Sequence, residues 1–284
     1  MSEQLTNEQI NEAGHLTIGG VDADQLAAKY QTPLAVYDVS KIRDQIRRFK
    51  SVFEANGVDY AVSYASKAFA TIAMFQVIDQ EQGHIDVVSG GELYTAIQAN
   101  FPMSRVSFHG NNKSREELEM AVKNKVGVIV LDNFHEIELL DQVLKEQDAT
   151  SAVMLRITPG ISAHTHEYIS TGQEDSKFGF DLKSGQADQA LQEVLANDRM
   201  NMLGIHAHIG SQIFELKGFQ MAAKKLVEIA ANWHNQYQYQ PEVINVGGGF
   251  GIRYTKDDHP LAPEDFVDAI VKTIKQSAAD QNLD

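Results

Sequence analysis

The sequence predicts an α/β fold, a (β/α)8 barrel of the TIM type that stops short of its eighth strand, and three observations predict it. From about residue 40, short β-branched runs alternate with longer stretches of helical period, the signal for βα units around a parallel sheet. Seven such units occupy roughly 240 residues, against about 250 for a complete barrel of eight. A polar residue or glycine stands just after one run after another, where a barrel builds its active face. An open doubly wound sheet is the alternative that the same alternation allows.

Taken in order, His15–Ile18 and Leu34–Tyr37 read as strands separated by a short helix, Ala23–Tyr30, and this opening stretch does not fit the alternation. Residues 1–35 are therefore expected to belong to a separate β-domain, and residues 36–284 to the barrel. The strand-like runs are Tyr60–Tyr64, Ile85–Val88, Val106–His109, Val126–Leu131, Val153–Ile157, Leu203–His208 and Val243–Val246. Between them Lys41–Ala55, Thr71–Gln80, Arg115–Lys123, Glu136–Lys145, Gln186–Ala196 and Phe219–Trp233 carry helical periodicity, and Pro263–Ala279 reads as a last amphipathic helix.

Composition excludes several classes of function. The 284 residues are 43% apolar and 22% charged, ordinary for a globular protein with a full core. With 24 Lys and Arg against 39 Asp and Glu, the formal charge is -15, which argues against nucleic-acid and anionic-membrane partners. An anionic ligand would need local cations or backbone N–H groups. There is no cysteine, so disulfides, thiolate metal sites and cysteine nucleophiles are absent. The polar start lacks a signal-peptide pattern and no apolar run spans a membrane, so a cytoplasmic location is expected.

Among the residues after the strands, Lys67 in YAVSYASKAFA draws attention, because an amine in apolar surroundings has a lowered pKa and can attack an aldehyde. A lone lysine there is more often a solvated helix-starter. Gly247-Gly248-Gly249-Phe250-Gly251 follows the seventh strand, where bare N–H groups can meet a phosphate. The dinucleotide fingerprint fails because position 252 is Ile, and a plain tight turn is the other reading. His206 and His208 stand two apart, so on a strand both would face one side; His164 and His166 repeat that spacing. A four-His metal site lacks a carboxylate cluster, and no metal is expected; an imidazole lying against a cofactor ring fits better.

The segments TPLAVYD, YAVSYASKAF, DVVSGGELYTA, FHGNNKS, LRITPGISAHTHEYISTGQEDSKFGF, GIHAHIGSQI and INVGGGFG, from Thr32 to Tyr254, resemble the decarboxylases dependent on pyridoxal 5'-phosphate (PLP) of the alanine-racemase-like barrel class, and among them the diaminopimelate decarboxylases. On that resemblance Lys67 carries PLP as a Schiff base and His208 stacks on its ring. Ser211 and Gly247, Gly248 and Gly249 resemble phosphate-binding elements, Asp86 the acidic residue near cofactor and lysine, and Arg156 an arginine beneath the ring. His109, Asn111 and Lys177 are supporting candidates. The implied activity is decarboxylation of meso-2,6-diaminopimelate to L-lysine, by a homodimer with its active site at the subunit interface. Members of the family run well past 400 residues, so the barrel here is expected to lack its eighth strand and a following β-domain, and the chain alone is expected to be inactive. A decarboxylase of another basic amino acid, a non-catalytic PLP carrier and a metal-dependent hydrolase are the competing readings.

Overall fold

Residues Thr17–Ile18 (β1) and Val21–Asp22 (β2) pair antiparallel in a two-stranded sheet of their own, followed by helix α1 (Ala23–Tyr30). The chain is seen as a computed structural model, which describes residues 10–161 and 177–283. Helix α2 (Val39–Asn56) starts where the Asp38 side chain accepts the Ser40 N–H and ends at Gly57 with φ +61°, a left-handed cap that glycine adopts without strain. The run Leu34–Tyr37 is not a strand. Leu34, Val36 and Tyr37 are exposed, and an alternating run with no neighbouring strand has no ladder to join.

Seven parallel strands then follow: β3 (Ser63–Ala65), β4 (His84–Val87), β5 (Val106–Phe108), β6 (Val128–Leu131), β7 (Ser151–Thr158), β9 (Met200–His206) and β10 (Val243–Asn245), with a two-residue strand β8 (Phe180–Asp181) beside β7. Their spatial order is β3-β4-β5-β6-β7-β9-β10. Sequential order with no reversal excludes the doubly wound alternative, whose sheet has a switch point. Strand β9 ends at His206, so the expected strand Leu203–His208 is too long: Ala207 still donates to Asn245 O at 2.9 Å, but His208 lies in the loop beyond.

Helices α3 (Ile72–Gln80), α4 (Gly90–Gln98), α5 (Arg115–Lys123), α6 (Phe134–Glu146), α7 (Gln186–Leu195), α8 (Leu216–Tyr237) and α9 (Pro263–Asp280) surround the sheet. Several start on a side-chain cap that satisfies an otherwise orphaned N–H: Ser89 for α4 and Asn133 for α6, each close behind its strand, and Ser114 with Glu117 as a capping box for α5. The main core lies between sheet and helices, and a second, smaller cluster of Val128, Val130 and Met154, with Leu203 against it, lies on the opposite face of the sheet. Helix α9 packs against both α8 and α2: Asn56 donates to Asp268 at 3.2 Å, and Lys275 to the Asn56 carbonyl at 2.9 Å. The helical wall thus passes from the end of the chain to its beginning. The sheet stays open between β10 and β3 among the described residues.

Candidate active site

The candidate residues converge because a parallel sheet puts all its C-terminal strand ends at one side, and because side chains alternate faces along each strand. Val128 and Val130 point to the inner cluster, and Asp132 continues their face two residues on; Met154 and Arg156 do the same on β7. On β4 and β5 the helix-facing residues are Ile85, Val87, Val106 and Phe108, all buried, which leaves Asp86 and His109 to the inside. The rings of His109 and His206 meet edge to face at 4.9 Å although their strands are separated by β6 and β7. Such a contact needs a curved sheet, so the polar layer sits within the mouth of a barrel.

Lys67 rides on a single 3-10 turn, Ser66–Ala68, directly after β3. That turn is fixed to β4 through the Ser66 hydroxyl, which donates to the Asp86 carbonyl at 2.6 Å, while Ser63 donates to the Asp86 carboxylate. The Lys67 side chain is exposed, which corrects the expectation of an apolar-enclosed amine: β3 is an edge strand, and only Ser66 of the turn is buried against the sheet. Lys67 forms no ion pair among the described residues, yet its charge acts on His208.

Asp86 lies 3.5 Å from His109 Nε2. Burial works to raise its carboxyl, but His109 and the Ser63 hydroxyl outweigh it and hold the group below the usual carboxylate range. His206 is buried and pushed well below the ordinary histidine range by desolvation and then by His109 and Arg156. Its Nδ1, like His109 Nε2, is a buried nitrogen with no hydrogen-bond partner among the described residues. His208 is lowered to about 4 by burial, then by the positive charges of Arg156 and Lys67, so its imidazole is neutral at physiological pH. His206 and His208 therefore do not act as a pair: one is inside the barrel, the other in the loop above it.

The His208 loop and the glycine loop are pressed together. A Cβ on Gly247, φ +72°, would stand 2.7 Å from the Ala207 carbonyl and 3.0 Å from His208 Nδ1, and one on Gly249 would stand 2.0 Å from the Gly210 carbonyl. Only glycine permits both approaches. Ile213 N–H donates to Gly249 O at 3.0 Å and Gly251 N–H to Ile213 O at 2.8 Å, locking the loops in register. At Gly248 a Cβ would meet nothing within 4 Å, so this backbone faces open space. Ser211 is exposed in the same loop pair. Beside it a cavity of about 210 Å³ is lined by Arg156, Thr158, Phe178, His208 and Gly210, with further backbone from the end of β7.

The structure thus brings Lys67, Asp86, Arg156, His208, Ser211 and Gly247 to Gly249 to one side of the sheet. Asn111 Nδ2 donates to the Lys177 carbonyl at 3.0 Å, so these supporting candidates meet through backbone. His164 and His166, with residues 162–176, lie outside the described residues. Sequence reasoning left Phe178 and the partnership of Asp132 with Arg156 unused. Period-two alternation carried past each strand end places Asp132 and Arg156 on the same inner face as the apolar residues before them.

Comparison with known proteins gives a consistent result. A family model described as pyridoxal-dependent decarboxylase, pyridoxal binding domain, matches residues 39–284. The chain is 53% identical over 271 residues to a diaminopimelate decarboxylase of Bacillus methanolicus, covering 95% of this chain and 63% of that protein. It is likewise 53% identical over 274 residues to the diaminopimelate decarboxylase of Bacillus subtilis, covering 96% and 62%. The crystal structure of the M. jannaschii diaminopimelate decarboxylase superposes with a TM-score of 0.89 at 34% identity, covering 97% of this chain and 64% of that one. The chain spans less than two thirds of the length of these relatives.

Proposed function

The chain belongs to the pyridoxal-dependent decarboxylases, and from that premise we propose that it is the cofactor-holding part of an enzyme that converts meso-2,6-diaminopimelate to L-lysine and carbon dioxide. The observation that carries this reading is the gathering of an exposed lysine, a neutral imidazole and an open glycine backbone at the C-terminal ends of one parallel sheet.

These residues fit pyridoxal phosphate. The Lys67 amine is accessible for a covalent link to its aldehyde. The flat, uncharged His208 ring offers a stacking surface, and Gly247 leaves it room, since a Cβ there would stand 3.0 Å from its Nδ1. The backbone about Gly248, with Ser211, offers room and donors for a phosphate without a basic side chain, a demand set by the acidic composition. Bound there, the cofactor supplies an electron sink for the pair left at Cα when carbon dioxide departs. His208 would keep the ring plane fixed, Asp86 would stay anionic beside the turn that bears Lys67, and Arg156 would hold a positive charge at the cavity wall. Lys67 would return to free the product.

The substrate assignment is supported by relatives at 53% identity that carry that name, and by an M. jannaschii relative solved with L-lysine, the product of this reaction. The same proposal includes a homodimer with its site at the subunit interface, a cytoplasmic location, and residues 1–35 as part of a β-domain apart from the barrel. The test is to incubate the complete protein with PLP and meso-diaminopimelate, arginine or ornithine, and to measure carbon dioxide and amine product. Lysine from diaminopimelate alone is expected. Turnover of arginine or ornithine instead would transfer the site to another substrate, and PLP binding with no release of carbon dioxide from any of them would favour a carrier.

A further inference from the structure

The cavity wall contains an arginine held on three sides. The ring of Phe178 lies 4.3 Å from the Arg156 guanidinium carbon, a cation–π distance. Gly179, at φ +75°, runs directly over the Arg156 backbone: a Cβ there would stand 2.7 Å from the Arg156 carbonyl and 3.2 Å from its Cγ. Asp132 supplies the third side, with one carboxylate oxygen 3.5 Å from Arg156 Nη1 while the other accepts the Gly179 N–H at 2.8 Å. A single carboxylate thus touches both the arginine and the chain that covers it.

Asp132 is itself fixed. It is 3% exposed, and its N–H donates to Glu136 Oε2 at 3.0 Å. The other oxygen of Glu136 accepts from Lys113 Nζ at 2.6 Å, inside the fold. Lys113 also donates to the carbonyls of Gly110 and Val130, at 2.8 and 2.7 Å, so the ends of β5 and β6 are tied beneath Asp132. Thr158 completes the enclosure from β7, donating to the Phe178 carbonyl at 2.6 Å.

We propose that Asp132 is a positioning residue that aims the Arg156 guanidinium into the site cavity and locks it to Phe178 and Gly179, so that arginine and covering segment are set by one carboxylate. This rests on the reading of Arg156 as part of the site. Removing an opposite charge at this distance lowers the guanidinium pKa and frees its geometry, which faster modification of Arg156 reports. A purely structural Asp132 would leave turnover unchanged wherever Gly179 stays protected; a positioning Asp132 must lower it.

The experiment uses the complete protein without PLP and follows two probes. Phenylglyoxal, an arginine-selective dicarbonyl whose carbonyl carbons the deprotonated guanidine attacks, reports Arg156 by peptide mapping, and amide hydrogen exchange reports Gly179. Asp132→Asn keeps an oxygen for the Gly179 N–H and removes the charge. It is expected to leave Gly179 protection within about threefold and to accelerate Arg156 modification about tenfold, one pKa unit being the low end for loss of a neighbouring charge. Asp132→Ala is expected to lose Gly179 protection as well. An Arg156 rate in folded Asp132→Asn within about twofold of wild type, less than the loss of a neighbouring charge would give, overturns the proposal. With PLP and substrate, Asp132→Asn should lower kcat more than it raises KM. Because the labelling needs no substrate, faster Arg156 modification in a protein that releases no carbon dioxide from diaminopimelate would support the clamp and refute the substrate reading.

Discussion

At the scale of single residues, His208 illustrates how position sets chemistry. Its folded value of about 4 lies below the roughly 6.5 of an unfolded histidine, so the unfolded chain takes the proton first. The stability that this neutral ring represents is present above pH of about 6.5 and is lost as pH falls toward 4, about 2 kcal/mol once solvent screening of a part-exposed ring is allowed for. Chemical denaturation of His208→Gln across that range should show a shallower fall in stability than wild type; an identical slope would mean that the ring is not held neutral. In the loaded enzyme, His208→Ala should lower kcat more than it weakens PLP binding, since a stacked ring mainly fixes orientation. An unchanged kcat would remove His208 from the site. Only its motif singled His208 out from His206, because strand periodicity put both on one strand, whereas β9 ends at His206. Lys67 was legible by position, but not its exposure, which depends on what covers an edge strand.

At the scale of elements, the ends of β5 and β6 depend on a buried ion pair. Lys113 and Glu136 have side chains only 1% and 3% exposed. Burial pushes the Glu136 carboxyl up against the pull of Lys113, so removing the lysine leaves a carboxylate without compensation. Lys113→Met should therefore cost about 3–5 kcal/mol, read as a fall in denaturation midpoint. Replacing Glu136 by Leu in that background should recover part of it, and full additivity of the two losses would contradict the pairing. A second weak point is Gly204, where an added Cβ would stand 2.0 Å from the Val243 carbonyl of the edge strand β10. Gly204→Ala should cost about 1–3 kcal/mol or more and speed amide exchange along β10 before the rest of the sheet. The seven parallel strands were legible as β-branched runs, with ends displaced by a few residues. Helix α4 was passed over because its first two residues are Gly90 and Gly91, which read as a loop; the Ser89 cap and the Glu92 carboxylate, which accepts the Val88 N–H at 2.6 Å, start it anyway. Leu34–Tyr37 failed in the opposite sense, since propensity alone does not supply a neighbouring strand.

At the scale of the whole molecule, the order of strands and the placing of the site at their C-terminal ends followed from the alternation of runs. The return of α9 onto α2 did not, because it is a contact between the two ends of the sequence that no local pattern encodes. The path of seven strands ends at β3 and β10, each with one neighbour among the described residues, and Lys67 stands next to β3. Residues 1–284 expressed alone should therefore bind PLP weakly and release little lysine from diaminopimelate, because Lys67 sits beside an edge strand and positioning is worth about 7–11 kcal/mol of barrier. Robust turnover by that chain would show that the essential groups lie within it. The central claim is that Lys67 is where this barrel holds its cofactor. It is tested most directly by incubating the protein with PLP, reducing with borohydride and mapping the labelled peptide. The label is expected on Lys67 and nowhere in Lys67→Ala; a label on another lysine, or one retained in full by the variant, would contradict the account.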